Sequence, residues 1–198
     1  MNSYDQFRHD HYYRRLGTLT GRVLELGFGD GKSFGHYNSE ADVSALEKKK
    51  KWVERTAEND NDYRPGKLTL VHGVAEKIPF DDHTFDFVTT SFVLCSVNSQ
   101  REAIREIYRV LKPAGRYIAI EHTLSNNRLF RGIQHVVAKP LSKIAGNCHL
   151  NSDPVAVIMM EDFRILETVY FPFYLEPPLF IEAEKVQATD AIADVKKV

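Results

Sequence analysis

A glycine-rich segment near the start of the chain is the first feature of the sequence that could support chemistry. It reads Glu25-Leu26-Gly27-Phe28-Gly29-Asp30-Gly31 and overlaps an apolar run, residues 22–27, that is typical of a buried strand. Glycine lets the backbone turn tightly and approach a ligand closely. Ligands bind at the carboxyl ends of the strands in a parallel sheet. The segment therefore predicts a nucleotide-type cofactor loop; an ordinary strand-to-helix turn is the alternative.

The spacing of the glycines separates two classes of cofactor. The dinucleotide fingerprint G-x-G-x-x-G requires a glycine at position 32, where this chain has Lys32. The second expected strand, from Ala41 to Glu47, ends in an acidic residue 18 positions after Gly29. A carboxylate at that point can accept hydrogen bonds from both hydroxyls of a ribose. The pattern favours a nucleoside cofactor that is not a dinucleotide; a surface glutamate opening a charged helix is the alternative for Glu47.

Two further motifs follow the glycine loop in the order typical of one enzyme family. They read Gly73-Val74-Ala75-Glu76-Lys77-Ile78-Pro79-Phe80, which precedes the apolar run 85–88, and Leu111-Lys112-Pro113-Ala114-Gly115. With the E-x-G-x-G-x-G loop and Glu47, they resemble the class I S-adenosylmethionine-dependent methyltransferases (methyltransferase type 11-like) over roughly residues 20–122. The resemblance implies S-adenosylmethionine as cofactor and S-adenosylhomocysteine as its product. It also implies cofactor contacts from Glu25, Gly27, Phe28, Gly29, Gly31, Glu47, Lys48, Val74, Ala75, Glu76, Ser91, Phe92 and Val93.

Two positions depart from the family pattern. Val74 stands where many members have an acidic residue that binds the adenine amino group. Either Glu76 or the backbone around Val74 and Ala75 would then take that role. Ala114 replaces a glycine of the family's L-x-P-G-G helix exit, which is tolerable if φ is negative at this residue.

The methyl acceptor is expected over the ends of the fourth and fifth strands, at residues 91–97 and at Glu121-His122. His122 is a candidate general base because the ordinary pKa of histidine is near neutral, and packing at the strand end is the alternative. Cys95 is expected to be a packed core residue. Cys148-His149 lacks further ligands at suitable spacing, so no metal site is predicted.

Residues 93–97, Glu121-His122 and residues 146–150 also resemble, more weakly, the small-molecule thiol methyltransferase-like group. The mammalian enzymes of that group carry an N-terminal hydrophobic anchor that this sequence lacks. The bacterial phospholipid N-methyltransferases share the core motifs and are a second neighbour. The acceptor is therefore expected to be small and fairly apolar: a thiol, an amine or a quinone-like ring. A phospholipid N-methyltransferase at a membrane surface and a non-catalytic protein that retains the fold are the alternatives.

Strands and helices alternate along the first two thirds of the chain, and this order predicts an α/β, doubly wound, mostly parallel, seven-stranded sheet. Helices are expected at about residues 3–15, 31–37, 48–59 and 99–111. The last two strands, residues 165–171 and 179–183, are separated by a turn with Pro177 and Pro178. That turn is too short for a crossover helix, so the last strand is expected to be antiparallel.

The rest of the chain is expected to add a substrate lid at residues 123–160, within a single methyltransferase domain of 198 residues. The lid contains an amphipathic helix, residues 126–145, with four basic residues: Arg128, Arg131, Lys139 and Lys143. Such a helix either packs on the domain, the favoured interpretation, or makes peripheral contact with a membrane. The net charge of −1 indicates no nucleic-acid partner, and the two cysteines are typical of a cytoplasmic protein. A monomer or a homodimer is expected.

Overall fold

The computed structural model describes residues 3–58, 65–125, 127–134, 136, 153–171 and 177–186. Seven strands form one sheet in the order β3-β2-β1-β4-β5-β7-β6. The strands are β1 (Gly21–Leu26), β2 (Ala41–Glu47), β3 (Lys67–His72), β4 (Phe85–Ser91), β5 (Leu111–His122), β6 (Phe163–Tyr170) and β7 (Pro178–Lys185). The first five are parallel, and β7 runs antiparallel to both of its neighbours. The predicted doubly wound sheet with an antiparallel last strand is confirmed.

Five helices accompany the sheet in the described residues. Helix α1 consists of Ser3–Arg8, a π-helical turn at His9–Tyr13, and Arg14–Leu16. The others are α2 (Lys50–Glu58), α3 (Gln100–Val110), α4 (residues 128–134, with residue 136 also helical) and α5 (Pro154–Ile158). Two single 3-10 turns, Phe34–His36 and Leu94–Ser96, complete the regular structure.

The helix predicted over residues 31–37 is wrong, because the structure has only the 3-10 turn Phe34–His36 there. Gly31 has a φ of 75°, outside the helical region, so the chain cannot enter a helix directly after the glycine loop. The turn instead directs the Phe34 ring into the core, where it packs against Phe28 with 5.4 Å between ring centroids.

The sheet is covered on both faces, as parallel sheets require. Helix α3 begins at Ser99, whose side chain accepts a hydrogen bond from the Glu102 backbone N–H. Its buried residues recur at helical spacing and pack on one face of the sheet together with α5: Ala103, Ile104, Ile107 and Val110. Helix α1 packs on the opposite face through Phe7, Tyr12 and Leu16. This packing fixes α1 beside the carboxyl edge of β1 and β4.

The backbone at Ala114 corrects one expectation, since its φ is +59° rather than negative. The glycine of this turn stands at the next position, 115, which has no room for a side chain. A Cβ on Gly115 would lie 2.8 Å from the Lys112 carbonyl oxygen. An L-residue in the left-handed region costs about 1–2 kcal/mol relative to the right-handed one.

Helix α4, the described part of the predicted amphipathic helix, presents Leu129, Ile133 and Val136 to solvent. Leu129 is 70% exposed and Val136 is 78% exposed, so the expected packing of this stripe on the domain is not observed. Gln134 is the buried residue of α4 and binds the Ser125 N–H and the Thr123 carbonyl. Residues 137–152, with Cys148-His149 and the two lid lysines, lie outside the described residues. None of the described helices is long and apolar enough to cross a membrane.

Candidate active site

Two adjoining cavities open at the carboxyl ends of β1, β2 and β4, and they share Gly27, Gly29 and Phe92. We name them cavity A and cavity B. Cavity A is lined by Gly27, Gly29, Leu46, Glu47, Lys48, Lys49, Trp52, Gly73, Val74, Ala75, Glu76, Phe92, Val93, Ser96, Val97 and Asn98. Cavity B is lined by Arg8, Tyr13, Glu25, Gly27, Phe28, Gly29, Asp30, Lys32, Ser33, Ser91 and Phe92. All the residues expected to bind the cofactor line one or both cavities, except Gly31.

The three glycines of the loop all have positive φ, 69° at Gly27, 56° at Gly29 and 75° at Gly31, and each serves a different need. A Cβ on Gly27 would lie 2.6 Å from Val93 Cγ2, so packing against β4 excludes a side chain there. A Cβ on Gly29 would meet nothing within 4 Å and would project into open space beside both cavities. Gly31 lies over the Phe34 ring, 3.0 Å from a Cβ built on it. Gly29 is therefore the glycine whose missing side chain leaves room for a ligand.

Glu47 lies at the end of β2 and lines cavity A although it is only 6% exposed. One of its carboxylate oxygens accepts a hydrogen bond from Gly29 N at 3.2 Å, and the other accepts one from Lys49 N at 2.8 Å. These two backbone donors hold the carboxylate in place. Each oxygen keeps further acceptor capacity, which suits a vicinal diol such as that of a ribose.

The loop after β3 forms the opposite wall of cavity A. Val74 is 40% exposed, so an apolar side chain stands where many family members have an acid. Glu76 Oε1 accepts a hydrogen bond from Asn98 N at 2.7 Å, which ties this loop to the segment after β4. Lys48 crosses from β2 and donates to the Ser96 carbonyl at 3.0 Å. These contacts shape the wall, and both Glu76 and the backbone of this loop remain candidates for binding an adenine.

Glu25 lines cavity B and is only 2% exposed. Its Oε1 accepts a hydrogen bond from Ser33 Oγ at 2.5 Å, whereas its Oε2 is buried without a partner among the described residues. Burial raises the pKa of this carboxyl to about 7, against the lowering effect of the Ser33 hydrogen bond and of the nearby Tyr37 hydroxyl. A buried carboxylate oxygen without a donor is costly, so this position suits a cationic ligand group.

Glu121 was expected beside the methyl acceptor, at the end of β5. In the structure it lies beneath the cavities instead. It is fully buried, and its carboxylate accepts hydrogen bonds from Thr90 Oγ1 at 2.8 Å, Val93 N at 3.0 Å and Leu94 N at 3.1 Å. Burial raises the pKa of Glu121 to about 7, although these three donors favour the ionised form. Glu121 thus positions the turn after β4, which lines cavity A through Val93 and Ser96.

Phe92 stands between the two cavities in a strained conformation, with a φ of 56°. Its ring stacks on His122, with 4.4 Å between centroids, and on Tyr4 of α1 at 6.1 Å. Non-glycine residues in the left-handed region cluster at functional sites, where the surrounding structure holds them. His122 is half-buried against this ring and lines neither cavity. Cys95 is buried, as expected for a packed residue, and its thiol donates a hydrogen bond to the Phe92 carbonyl at 3.5 Å.

Several lining residues were not predicted from the sequence. Arg8 and Tyr13 reach cavity B from α1, and Trp52 and Asn98 line cavity A. No spacing rule connects α1 to the glycine loop, because tertiary packing alone brings them together. For Asn98 a signal existed, since it lies shortly after β4 at the carboxyl edge of the sheet.

The cavities fit S-adenosylmethionine on observations of this structure. Glu47 supplies acceptors for a ribose in cavity A, Gly29 leaves the backbone open, and the unpartnered oxygen of Glu25 in cavity B suits an ammonium group. No group of three or more metal-ligating side chains occurs in the described part of the chain.

Comparisons with known proteins point to a methyltransferase domain. A family model described as "Methyltransferase domain" matches residues 24–119. A demethylmenaquinone methyltransferase of Staphylococcus epidermidis is 38% identical over 85 residues, which are 43% of this chain and 35% of that protein. A ubiquinone/menaquinone biosynthesis C-methyltransferase of Pseudomonas putida is 34% identical over 100 residues, 50% of this chain and 39% of that protein. The matches thus span well under half the length of these curated relatives.

Solved structures agree on the fold. The YcgJ protein of Bacillus subtilis superimposes with a TM-score of 0.71 at 16% identity, covering 85% of this chain and 93% of that one. An S-adenosylmethionine-dependent methyltransferase of Mesorhizobium loti has a TM-score of 0.63 at 16% identity, covering 83% and 91% of the two chains. The resemblance stated from the motifs is confirmed, with S-adenosylmethionine as the cofactor. Residues 24–119 thus match a methyltransferase domain, in agreement with the class I S-adenosylmethionine-dependent methyltransferases that the motifs resemble.

Proposed function

We propose that the chain transfers a methyl group from S-adenosylmethionine to a small, fairly apolar acceptor: a thiol, an amine or a quinone-like ring. The observation that carries this proposal is an aromatic wall at the junction of the two cavities, of which Phe92 is the member that lines them. Phe92 borders both cavities and is flanked by His122 and Tyr4. Tyr4 also contacts Phe171 edge-on at 6.3 Å. Such a wall binds flat or apolar groups well and offers little to a strongly charged acceptor.

The cofactor, when bound, supplies a methyl group already activated on a sulfonium. The chain's own task is to orient the acceptor, exclude water and receive a proton where the acceptor carries one. The Phe92 ring bounds the space beside the junction of the cavities, and Glu121 fixes the turn that follows Phe92. His122, stacked on Phe92, remains our candidate for the group that receives the proton.

The names of the two curated relatives support a quinone-like acceptor within this class, since both names contain that of a quinone. Their similarity to this chain is limited to part of their length, so the acceptor is part of the proposal. A screen with S-adenosylmethionine labelled in its methyl group tests it across thiols, amines, phenols or quinols, and phospholipids. Labelled product is expected from a small apolar acceptor, and transfer to none of them would contradict the proposal.

The pH dependence of the rate distinguishes a thiol acceptor from the others. An unperturbed thiol has a pKa of about 8.5, so its reactive thiolate is scarce at neutral pH. The rate with a thiol should therefore rise roughly tenfold per pH unit below that value, provided that methyl transfer is rate-limiting. A flat profile under that condition would exclude thiolate chemistry.

The second candidate function is phospholipid N-methylation at a membrane surface, and α4 carries the observation that favours it. Leu129, Ile133 and Val136 are all exposed, and Arg128 and Arg131 lie in the same helix. An exposed apolar stripe with neighbouring basic residues is typical of helices that lie in a lipid interface.

Co-sedimentation with vesicles of phosphatidylcholine and phosphatidylglycerol at low salt tests membrane contact. Leu129→Asp should abolish binding. Met159→Asp is the matched control, because Met159 is also 64% exposed and apolar but lies outside α4. If the wild-type chain does not bind the vesicles, or if Leu129→Asp binds them equally well, phospholipid N-methylation at a membrane surface is contradicted.

The remaining alternative, a non-catalytic protein that retains the fold, is disfavoured by the open space at Gly29 and by the fixed carboxylate of Glu47. Calorimetry with S-adenosylmethionine and S-adenosylhomocysteine, together with the acceptor screen, separates the enzyme from the non-catalytic protein. Binding of these ligands without methyl transfer to any acceptor would favour the non-catalytic protein. The absence of a nucleic-acid partner, the monomeric or homodimeric state and the cytoplasmic location stay predictions.

A further inference from the structure

The described residues around Arg8 leave the hydrogen bonds of its guanidinium incomplete. Its side chain lines cavity B, and its Nε is buried without a hydrogen-bond partner in the described part of the chain. One terminal nitrogen donates to the Tyr13 hydroxyl, and the guanidinium lies 4.9 Å from the centre of the Tyr13 ring. Within the described residues Arg8 forms no ion pair with a carboxylate. A buried N–H donor without an acceptor is costly, so it indicates a missing acceptor in the cavity.

Buried residues on either side of Arg8 fix its position. The ring of its neighbour Phe7 packs against that of Phe171, with 5.2 Å between centroids, and Tyr12 is fully buried one turn later. These anchors hold α1 on the sheet, so the guanidinium is held beside the cavity before any ligand arrives. Helix α1 lies outside residues 24–119, the part of the chain that matches the family model.

Cavity B contains two unpartnered groups of opposite charge type, the Nε donor of Arg8 and the Oε2 acceptor of Glu25. The amino-acid end of S-adenosylmethionine carries one carboxylate and one ammonium. A guanidinium binds a carboxylate through two parallel hydrogen bonds, and a carboxylate accepts from an ammonium. The two unpartnered groups therefore match the two ends of an α-amino acid.

We infer that Arg8 of helix α1 binds the cofactor's carboxylate in cavity B, while Glu25 takes the ammonium. This inference rests on the assignment of the cofactor and adds a binding residue from outside the matched domain. Lys32 is the competing cation in the same cavity, but its ammonium already pairs with Asp30 Oδ2 at 2.7 Å and its side chain is 74% exposed. Arg8 is the better site because its free donor is desolvated, whereas Lys32 is hydrated and paired.

Two ligands that differ only at the amino-acid end provide the test. S-adenosylhomocysteine has the carboxylate and the ammonium, and 5′-methylthioadenosine has the same adenosine and thioether without them. Isothermal titration calorimetry on the full chain should show that Arg8→Gln weakens S-adenosylhomocysteine binding about 10- to 100-fold. Binding of 5′-methylthioadenosine should change by less than about twofold, since adenosine contacts do not involve Arg8.

Three further measurements keep the inference falsifiable. Arg14→Gln is the matched control, because Arg14 lies on the same helix but is 72% exposed and lines neither cavity; it should change neither affinity. Arg8→Lys keeps the charge without the planar fork, and should weaken only S-adenosylhomocysteine, by less than Arg8→Gln. Wild-type chain should itself prefer S-adenosylhomocysteine to 5′-methylthioadenosine by at least about tenfold.

The outcomes separate this inference from the cofactor assignment. Wild-type affinity of Arg8→Gln for S-adenosylhomocysteine would overturn the role of Arg8, and a loss specific to Lys32→Gln would transfer that role to Lys32. An equal loss of both ligands in Arg8→Gln and Arg8→Lys would show that Arg8 only supports the fold, and would also overturn it. If the wild-type chain binds neither ligand, the cofactor assignment itself fails.

Discussion

Cofactor binding should be linked to the ionisation of Glu25. This carboxyl lies in cavity B, and burial raises its pKa to about 7. The ammonium of the cofactor pairs with the ionised carboxylate and not with the neutral acid. Affinity for S-adenosylhomocysteine should therefore rise with pH and level off above about pH 7.

The size of the effect follows from the pKa. One pH unit below it, about one molecule in eleven has Glu25 ionised, so binding at about pH 6 should be roughly tenfold weaker than the plateau. In the cofactor-free protein, the stability of the fold depends on pH with the opposite sign to the cofactor affinity. A carboxyl whose pKa is raised from 4.5 to about 7 on folding contributes stability that is present below pH 4.5 and lost as the pH rises through 7. That loss is about 3 kcal/mol at most, so the cofactor should raise Tm more at alkaline than at acidic pH.

Calorimetric titrations with S-adenosylhomocysteine, from about pH 5 to about pH 7.5, measure this linkage while the ligand's amino group stays protonated. Repeating them in buffers of different ionisation enthalpy gives the number of protons released. Glu25→Gln should remove the slope and weaken binding about tenfold at pH 7.5, because a neutral amide replaces the anion.

The matched control is Glu121→Gln, because Glu121 is the other buried carboxyl with a pKa raised to about 7 but lines neither cavity. Its variant should keep the wild-type slope. A wild-type affinity that is constant over this range, or a slope that survives in Glu25→Gln, would refute the pairing of Glu25 with the ammonium.

Three other substitutions test the site and the fold. Gly29→Val should weaken S-adenosylhomocysteine binding by more than about tenfold in calorimetry, because it places a side chain in the open space beside the cavities and strains a φ of 56°. The control Gly35→Ala, at a position where a Cβ also meets nothing within 4 Å, should leave the affinity unchanged. Ala114→Gly should raise the free energy of unfolding by about 0.5–1 kcal/mol in urea denaturation, because glycine adopts the φ of +59° without strain. Glu121→Ala should lower it by about 2–5 kcal/mol, since it leaves the buried amides after Phe92 unpaired.

Each of these predictions has a clear contrary outcome. Full affinity in Gly29→Val would show that the ligand does not pass this glycine. A lower unfolding free energy for Ala114→Gly would mean that the alanine side chain contributes packing that exceeds its strain. If Glu121→Ala is as stable as wild type, the turn after β4 does not depend on that carboxylate.

The elements and the cofactor loop were predictable because their signals are local. Apolar runs that end in glycine marked β1, and Ser99 marked the start of α3. The acidic end of β2 placed Glu47 near the glycine loop, since parallel strands bring their carboxyl ends to one edge of the sheet. These inferences need only the period of side chains along each element and the direction of each strand.

Local signals failed where backbone geometry depends on distant atoms. The helix expected over residues 31–37 is a single turn because Phe34 must enter the core below the glycine loop. The turn after α3 needs its glycine at 115, where the Lys112 carbonyl leaves no room for a side chain, although the left-handed φ falls on Ala114. Neither constraint is written in the spacing of the residues themselves.

The sequence by itself thus determined the sheet, the class of cofactor and the carboxylates that line the two cavities. Only the tertiary structure decided that Arg8 joins Glu25 in cavity B and that Glu121 lies beneath the turn after β4. The physical reason is that local patterns specify which face of an element is buried, whereas contacts between α1, β4 and β5 depend on how the packed elements meet.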